Sequence, residues 1–367
     1  MGLLAGVMVG AGVFSLPYAF VQLGIGRGLL WLIFFVWVMV MFHLMYADVL
    51  LRTPGKHNFV SLAKIHLGDL AEWVGVILTV IQMILIMIIY IVLFLRFVNL
   101  IIFLGNPLLE LAAVLLFWLG GAMAISAGLR KLAEVEFLTT LAIGVVILLI
   151  FLWSLPGFSI DFPRLNGGAA LGLLVGPLLF ALSGRAAVVE LVSYARKPDL
   201  KKIIIRTVVS VAAFYFLFVV AVLSLTGGIV SDDTISGLAG RLPPLLLIFI
   251  SLMGLLALWH AYIMVGFDVN NILQVDLKWP KALSLLVVIV LPLLLYFVGW
   301  RDFFGLVSLV GGSFLAAEGI FVGAMWLKLQ RQSKTILLKG MPLWWVYLPI
   351  IVFVMVFVNQ LAIQLVK

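Results

Sequence analysis

Two short stretches of this chain carry the residue types that turn a buried backbone into a binding surface. The first is Val9-Gly-Ala-Gly-Val-Phe-Ser-Leu-Pro17, in the middle of the first apolar segment. The second is Gly176-Pro-Leu-Leu-Phe-Ala-Leu-Ser-Gly-Arg185, where Pro177 and Gly184 flank Phe180–Ser183. Glycine tolerates backbone angles that other residues avoid, so helical hydrogen bonding is expected to stop at Gly10–Gly12. Pro17 removes one more donor. A helix interrupted in this way exposes N–H groups at one broken end and carbonyls at the other, with opposite partial charge. Among the titratable side chains within the apolar segments are His43, Tyr90, Arg185, Glu190, His260 and Glu318. Asp48 and Asp268 fall near segment ends and Asp232 and Asp233 in a connecting loop, where solvated positions are expected for all four. The chain has no cysteine, and its four histidines are scattered at positions 43, 57, 66 and 260. A thiolate metal site is excluded, and no clustered acid/base or metal constellation points to an enzyme.

The elements that position these residues are membrane helices. The chain is 65% hydrophobic and 10% charged, with a mean hydropathy of +1.32, whereas soluble domains keep about a quarter of their residues charged. This composition describes an all-α polytopic membrane protein. Apolar runs of about 20 residues cross the hydrocarbon layer. On that measure the chain reads as eleven spans: about 1–24, 28–51, 71–103, 108–127, 131–155, 169–195, 202–226, 243–273, 281–298, 303–328 and 342–365. Sixteen of the 23 Lys and Arg residues fall in one alternate set of connections and five in the other. The first set runs from Arg52, Lys56 and Lys64 through Arg130, Lys131 and the 196–206 cluster to Lys334 and Lys339. The positive-inside rule then places the N-terminus in the cytosol and the C-terminus outside. The same bias accounts for the net charge of +8 through the bilayer, without a nucleic-acid partner. No basic n-region precedes the first apolar segment, so no cleavable signal peptide is expected.

At 1.5 Å per residue the first interruption lies roughly 12–14 Å into the layer, and the second reaches a similar depth from the other side. Two breaks at one depth, five spans apart, are the pattern of an inverted repeat. The halves are 1–157 (spans 1–5) and 169–330 (spans 6–10), with 342–365 as an extra helix.

Gly10-Ala-Gly-Val-Phe-Ser-Leu-Pro-Tyr-Ala-Phe20 followed by Gly24 resembles the first-helix signature of the amino acid/auxin permease family. Phe180-Ala-Leu-Ser-Gly-Arg-Ala-Ala-Val-Val-Glu-Leu191, then Pro198-Asp-Leu-Lys-Lys202, is similar to that family's sixth helix and the loop after it. The family belongs to the amino acid–polyamine–organocation superfamily, so the resemblance implies the LeuT fold with its five-plus-five inverted repeat. It also implies a secondary transporter of a small amino acid in the cell membrane. A nutrient-sensing receptor subunit of the same fold and a sodium-coupled symporter are the alternatives. The family's cytosolic tail is missing before the first break, which leaves the inner gate to other residues or to sequence before Met1.

Within that frame the residues take roles. Amides around Gly10, Ala11, Gly12 and Val13 are expected to receive a substrate carboxylate at the start of the second half-helix. Carbonyls near Val9, Phe180, Ala181 and Ser183 are expected to accept the ammonium group, with Gly184 ending the second break. Phe180 is expected to close over the ligand and Tyr90 to offer a hydroxyl. In sodium-coupled members of the fold, small hydroxyl residues on helix 8 hold an ion against helix 1; here the corresponding stretch reads Trp259-His-Ala-Tyr262. That exchange favours a proton over sodium as the coupling ion, with His260 as its carrier. No other cofactor is expected, and the oligomeric state is not encoded in any motif. Arg185, Glu190 and Glu318 are candidates for a gate or for ion pairing, because charges at membrane depth are costly unless paired or used.

Overall fold

The computed structural model describes residues 2–55, 57–102, 105–128, 136–157, 171–331 and 334–366. Lys56, Arg130, Lys131, Arg164, Lys367 and the outermost residues of spans 1, 3, 5 and 6 as read from sequence lie outside them. Span 1 is two pieces, α1 (Gly2–Met8) and α2 (Ala11–Leu23), which meet at 47°. Then come α3 (Ile25–Arg52), a short α4 (Phe59–Leu67), α5 (Asp69–Ile101), α6 (Pro107–Ala127) and α7 (Glu136–Ser154). Span 6 is α8 (Leu171–Ala181) and α9 (Arg185–Tyr194), which form one span interrupted at 182–184 and lack the sharp bend of α1 and α2. The chain continues through α10 (Lys197–Thr226), α11 (Pro244–Asp276), α12 (Lys281–Val298), α13 (Phe303–Gln330) and α14 (Leu343–Val366). Nine of these are long and apolar enough to cross a membrane, and the bent α1/α2 pair makes a tenth. The 19-residue α7 takes the remaining place in the eleven-span reading.

The two interrupted spans lie at the centre. Segments α1 and α2 pack on α8, α9 and α10, while α11 lies along α5 over most of its length. Lipid tails are as apolar as leucine, so helix contacts in a membrane rest on close approach rather than on the hydrophobic effect. Glycines make that approach: Gly254 seats the Phe97 ring and Gly266 the Ile125 side chain, joining α11 to α5 and α6. Gly319 and Gly323 receive Phe353 and Ile350 of the peripheral α14 in the same way. Large apolar side chains such as Leu116, Leu245, Leu294 and Met355 stay exposed, as lipid-facing residues do.

Several sequence expectations need correction. Pro177 does not open the second break, because α8 continues through it for four residues to Ala181. Its neighbour Gly176 serves instead as a contact, lying against Ser308 and Gly311 of α13. Asp48 is wholly buried rather than solvated. Its carboxylate accepts from the Ile336 and Leu337 amides at 2.7 and 2.8 Å, and from Thr335 Oγ1, Trp326 Nε1 and Arg52 at 3.0–3.1 Å. A buried charge survives only with such satisfaction, and here it fastens the 334–338 stretch to α3. Asp233 is likewise buried, accepting from Ser231, Ser236 and the Ser236 amide and pairing with Arg96 at 3.1 Å. Neither donor set is adjacent in sequence to a recognisable motif, which is why both aspartates read as solvated. The helix α4 was not expected; it is capped by Asn58, whose side chain accepts from the Ser61 amide.

Candidate functional site

The first break is a change of backbone direction at Val9–Gly10. The Val9 amide makes the last bond of α1, to Ala5 O at 2.8 Å, and Gly10 then adopts an extended conformation (φ −146°, ψ −153°). The chain resumes as a tight helical turn over Ala11–Ser15, whose first amides precede any acceptor within the helix. Ser15 Oγ ties this turn by donating to Gly12 O at 2.7 Å. Gly12 is the contact point between the two interrupted spans. A Cβ built there would lie 2.7 Å from the Ala181 Cα and 2.9 Å from the Phe180 ring. Gly10 has open space in the same test.

The second break covers Leu182–Gly184. Ser183 turns back on Phe180 O through both its amide (3.3 Å) and its hydroxyl (2.9 Å). Tyr215 of α10, which no sequence pattern singled out, links the two breaks: its hydroxyl lies 2.6 Å from Met8 O and 3.3 Å from Ala181 O. Of the carbonyls expected to receive an ammonium group, those of Phe180 and Ala181 therefore already have donors.

Around these breaks lies a cavity of about 470 Å³. Val9, Gly10, Ala11, Gly12, Tyr90, Phe180, Ser183, Gly184, Arg185, Glu190, His260 and Glu318 all line it. Val13 and Ala181 do not; both are buried behind its wall. His260 is 6% exposed and shares its lining face of α11 with Ala257 and Ala261, whereas Trp259 and Tyr262 turn to Gly120 and Gly121 of α6. The remaining wall is mostly apolar, from Met83, Ile86, Ile143, Leu258 and Val265, with Gln82 among the polar exceptions.

Access is one-sided. Toward the face of the N-terminus the lining continues through Gly6, Val7, Glu190, Asn271 and Gln274, and both Val7 and Glu190 are exposed. Toward the other face Phe14 stacks edge-on against Phe97 (5.5 Å) and Phe218 (5.9 Å), and Tyr18 against Phe304 (4.9 Å). Above Phe14, the Thr234 hydroxyl donates to Phe14 O at 2.5 Å. Thr234 is a branched residue at φ +62°, a strained conformation held by this bond and by the Arg96–Asp233 pair beside it. The connection 227–243 is thus fastened to α2 and α5.

One ion pair lies at the cavity wall. Arg185 opens α9, where the helix terminus is already positive, and meets Glu318 of α13 in a two-point contact of 2.9 and 2.8 Å. Its guanidinium also lies 4.4 Å over the Phe59 ring of α4. Glu318 is 1% exposed. His43 is buried beside Gly184, with Nδ1 bonded to Met39 O at 2.6 Å. Among the described residues, no group of three or more His, Asp or Glu is arranged to hold a metal ion.

Comparison with known proteins adds the following. Residues 1–166, under half of the chain, match the sequence profile of the tryptophan/tyrosine permease family. This match does not by itself show the amino acid/auxin permease family that the motifs resemble. No curated protein sequence matches the chain. Among solved structures it is similar to MhsT in complex with L-phenylalanine, with a TM-score of 0.70, 16% identity, and 98% of this chain and 97% of that one covered. It is also similar to Mhp1, a nucleobase-cation-symport-1 family transporter, in a closed conformation with bromovinylhydantoin bound. There the TM-score is 0.59 at 14% identity, with 99% of this chain and 89% of the other covered. Such identities speak to architecture: the chain has the LeuT fold.

Proposed function

We propose that this chain is a secondary active transporter that moves an amino acid across the cell membrane by alternating access. The observation that carries the reading is the cavity at the meeting point of the two interrupted helices, closed toward one face and accessible from the other. The amides of Gly10, Ala11 and Gly12 are the substrate carboxylate's partners, and the carbonyls of Val9 and Ser183 take the ammonium group. The apolar wall receives the side chain, between Phe180 and Tyr90. A cavity of this volume with such a wall, together with the tryptophan/tyrosine permease match, favours an aromatic amino acid over a smaller one. With the N-terminus in the cytosol, the state described is open inward. His260 carries a coupling proton, and Arg185–Glu318 holds α9 against α13 at the inner gate.

Uptake of a labelled amino-acid panel into proteoliposomes, under imposed pH or sodium gradients, tests this. Accumulation of an aromatic amino acid driven by a pH gradient is the expected result. Saturable binding without uptake assigns the chain to the receptor class instead. Uptake that follows sodium and ignores pH removes the role of His260.

A further inference from the structure

The two halves of the fold carry the same elements at a nearly constant interval. Helices α3, α5 and α6 begin at residues 25, 69 and 107, and α10, α11 and α12 at 197, 244 and 281, which is 172 to 175 residues later. At that interval Met8, the last residue of α1, corresponds to Ala181, the last of α8. His43 of α3 and Tyr215 of α10 are counterparts in the same sense, 172 residues apart on equivalent helices. Their hydrogen bonding is unequal. The Tyr215 hydroxyl donates to Met8 O at 2.6 Å and lies 3.3 Å from Ala181 O. His43 stands against the second break: its Nε2 is 3.3 Å from the place of a Cβ on Gly184, and Met8 Cγ is 3.0 Å from the same place. The neighbour of its Nδ1 is a carbonyl, Met39 O at 2.6 Å, so Nδ1 carries the proton. Nε2 is wholly buried and has no hydrogen-bond partner among the described residues. An imidazolium would bury a second N–H without an acceptor, so the ring is neutral in this state.

In an inverted-repeat transporter one half rocks against the other around a fixed site, and the halves trade conformations in the opposite state. The contact that Tyr215 makes here with the end of the other half's interrupted helix then passes to His43, and the carbonyl equivalent to Met8 O is Ala181 O. Gly184, which His43 touches, lies three residues beyond Ala181, under one helical turn. A phenol already owns the proton it donates, whereas an imidazole whose Nδ1 proton is committed must take up a second. We propose that His43 takes a proton from the external water in the outward-open state, donates it from Nε2 to Ala181 O, and releases it to the cytosol in the inward-open state. The proton then travels in the direction of the substrate, on a residue separate from His260. The inference rests on the transporter reading for the existence of the outward-open state. Segments α1 and α8 carry no titratable side chain that could hold an imidazolium in the state described. The charges nearest in the packed elements are paired, Arg185 of α9 with Glu318 of α13 and Asp48 with Arg52 on α3 itself. Tyr18 of α2, Tyr46 of α3 and Tyr215 of α10 are phenols, uncharged near neutral pH.

The chain has no cysteine, so a single introduced thiol reports which face is open. Val7 is 39% exposed at the inner mouth of the cavity. Val7→Cys is labelled with a maleimide on the purified, substrate-free protein at about pH 5.5 and about pH 7.5, either side of the ordinary histidine range. The same is done with His43→Gln, whose amide donates without titrating, and with His43→Leu, which has no donor. Dividing each rate by that of a variant at the same pH cancels the pH dependence of the thiol and of His57, His66 and His260. With His43 intact, labelling is expected to fall about tenfold on acidification, since one linked proton permits at most about tenfold per pH unit. His43→Gln is expected to label slowly and His43→Leu fast, each alike at both pH values after that correction. A rate ratio to either variant that does not change with pH overturns the assignment, as does equal labelling of the two variants. Labelling needs no substrate, so absence of amino-acid uptake defeats the transporter reading while this comparison decides the role of His43 separately.

Discussion

Gly10 and Gly12 look interchangeable in the sequence, and the structure gives them opposite tolerances. A methyl at Gly12 meets backbone: Ala181 Cα at 2.7 Å, Ala181 N at 3.0 Å and the Phe180 ring at 2.9 Å. Backbone cannot rotate aside as a side chain does, so α2 and α8 must separate by several tenths of an ångström. Overpacking of this kind costs about 1–3 kcal/mol. At roughly 1.4 kcal/mol per decade, that is about a 5- to 150-fold change in any equilibrium that requires the two breaks in contact. Gly10 has nothing within 4 Å of its built Cβ, and its φ of −146° is open to alanine. Gly12→Ala is therefore expected to lower the unfolding temperature and to weaken binding of a labelled aromatic amino acid by that factor. Gly10→Ala is expected to leave the unfolding temperature unchanged. Both are measured on purified protein in detergent, by thermal unfolding and by scintillation proximity. An unfolding temperature for Gly12→Ala equal to that of the unaltered protein would refute the close-contact reasoning. So would a Gly10→Ala protein that is the less stable of the two.

Three further outcomes are expected. Glu318→Leu strands the Arg185 guanidinium beside a buried wall and should destabilise by about 3–5 kcal/mol; the double variant with Arg185→Met should recover part of that loss in thermal unfolding, and a double no better than the single contradicts the pairing. Asp48→Asn removes an acceptor for five donors, so the segment it fastens should loosen, with faster tryptic cleavage after Lys334 and Lys339; unchanged cleavage would speak against the clamp. Burial, then the charges of Lys328, His57 and Arg52, lowers the pKa of His66, whose ring meets Thr53 Oγ1 at 2.8 Å. Since its folded pKa lies below the unfolded value of about 6.5, the stability contributed by the neutral ring is present above that pH and lost as pH falls toward the folded value. The protection factors of α4 amides, corrected for the intrinsic pH dependence of exchange, should fall on acidification, and His66→Gln should remove that fall.

The architecture was legible because lipid imposes a coarse rule: eleven apolar runs had to be helices, and their ends fall within a few residues of the expected ones. The first break was legible for a related reason, since two glycines and a proline inside one span have few other uses. The second was located less well. Pro177 drew attention upstream, while the true interruption uses Leu182–Gly184, and Gly176 proved to be a packing contact. Tyr215, Asp48 and Asp233 were missed or misread because each binds backbone atoms, and the partners of Tyr215 and most of those of Asp48 lie far away in the chain. A hydroxyl or carboxylate that binds main chain leaves no complementary side chain in the sequence to pair it with.

In α13 the residues Val310–Leu315 form a wide π-helical turn between ordinary helix on either side. Such a turn holds one residue more than an α-turn, and one residue corresponds to about 100° of rotation. The stretch before it directs Ser308 onto α8, where Gly311 of the turn itself also lies, and the stretch after it directs Glu318 toward Arg185. The extra residue is a phase shifter between these two faces. Excising either Gly311 or Gly312 would straighten the rod and turn the carboxylate aside while leaving every charged residue in the chain, so here the tally of residues encodes as much as their chemistry.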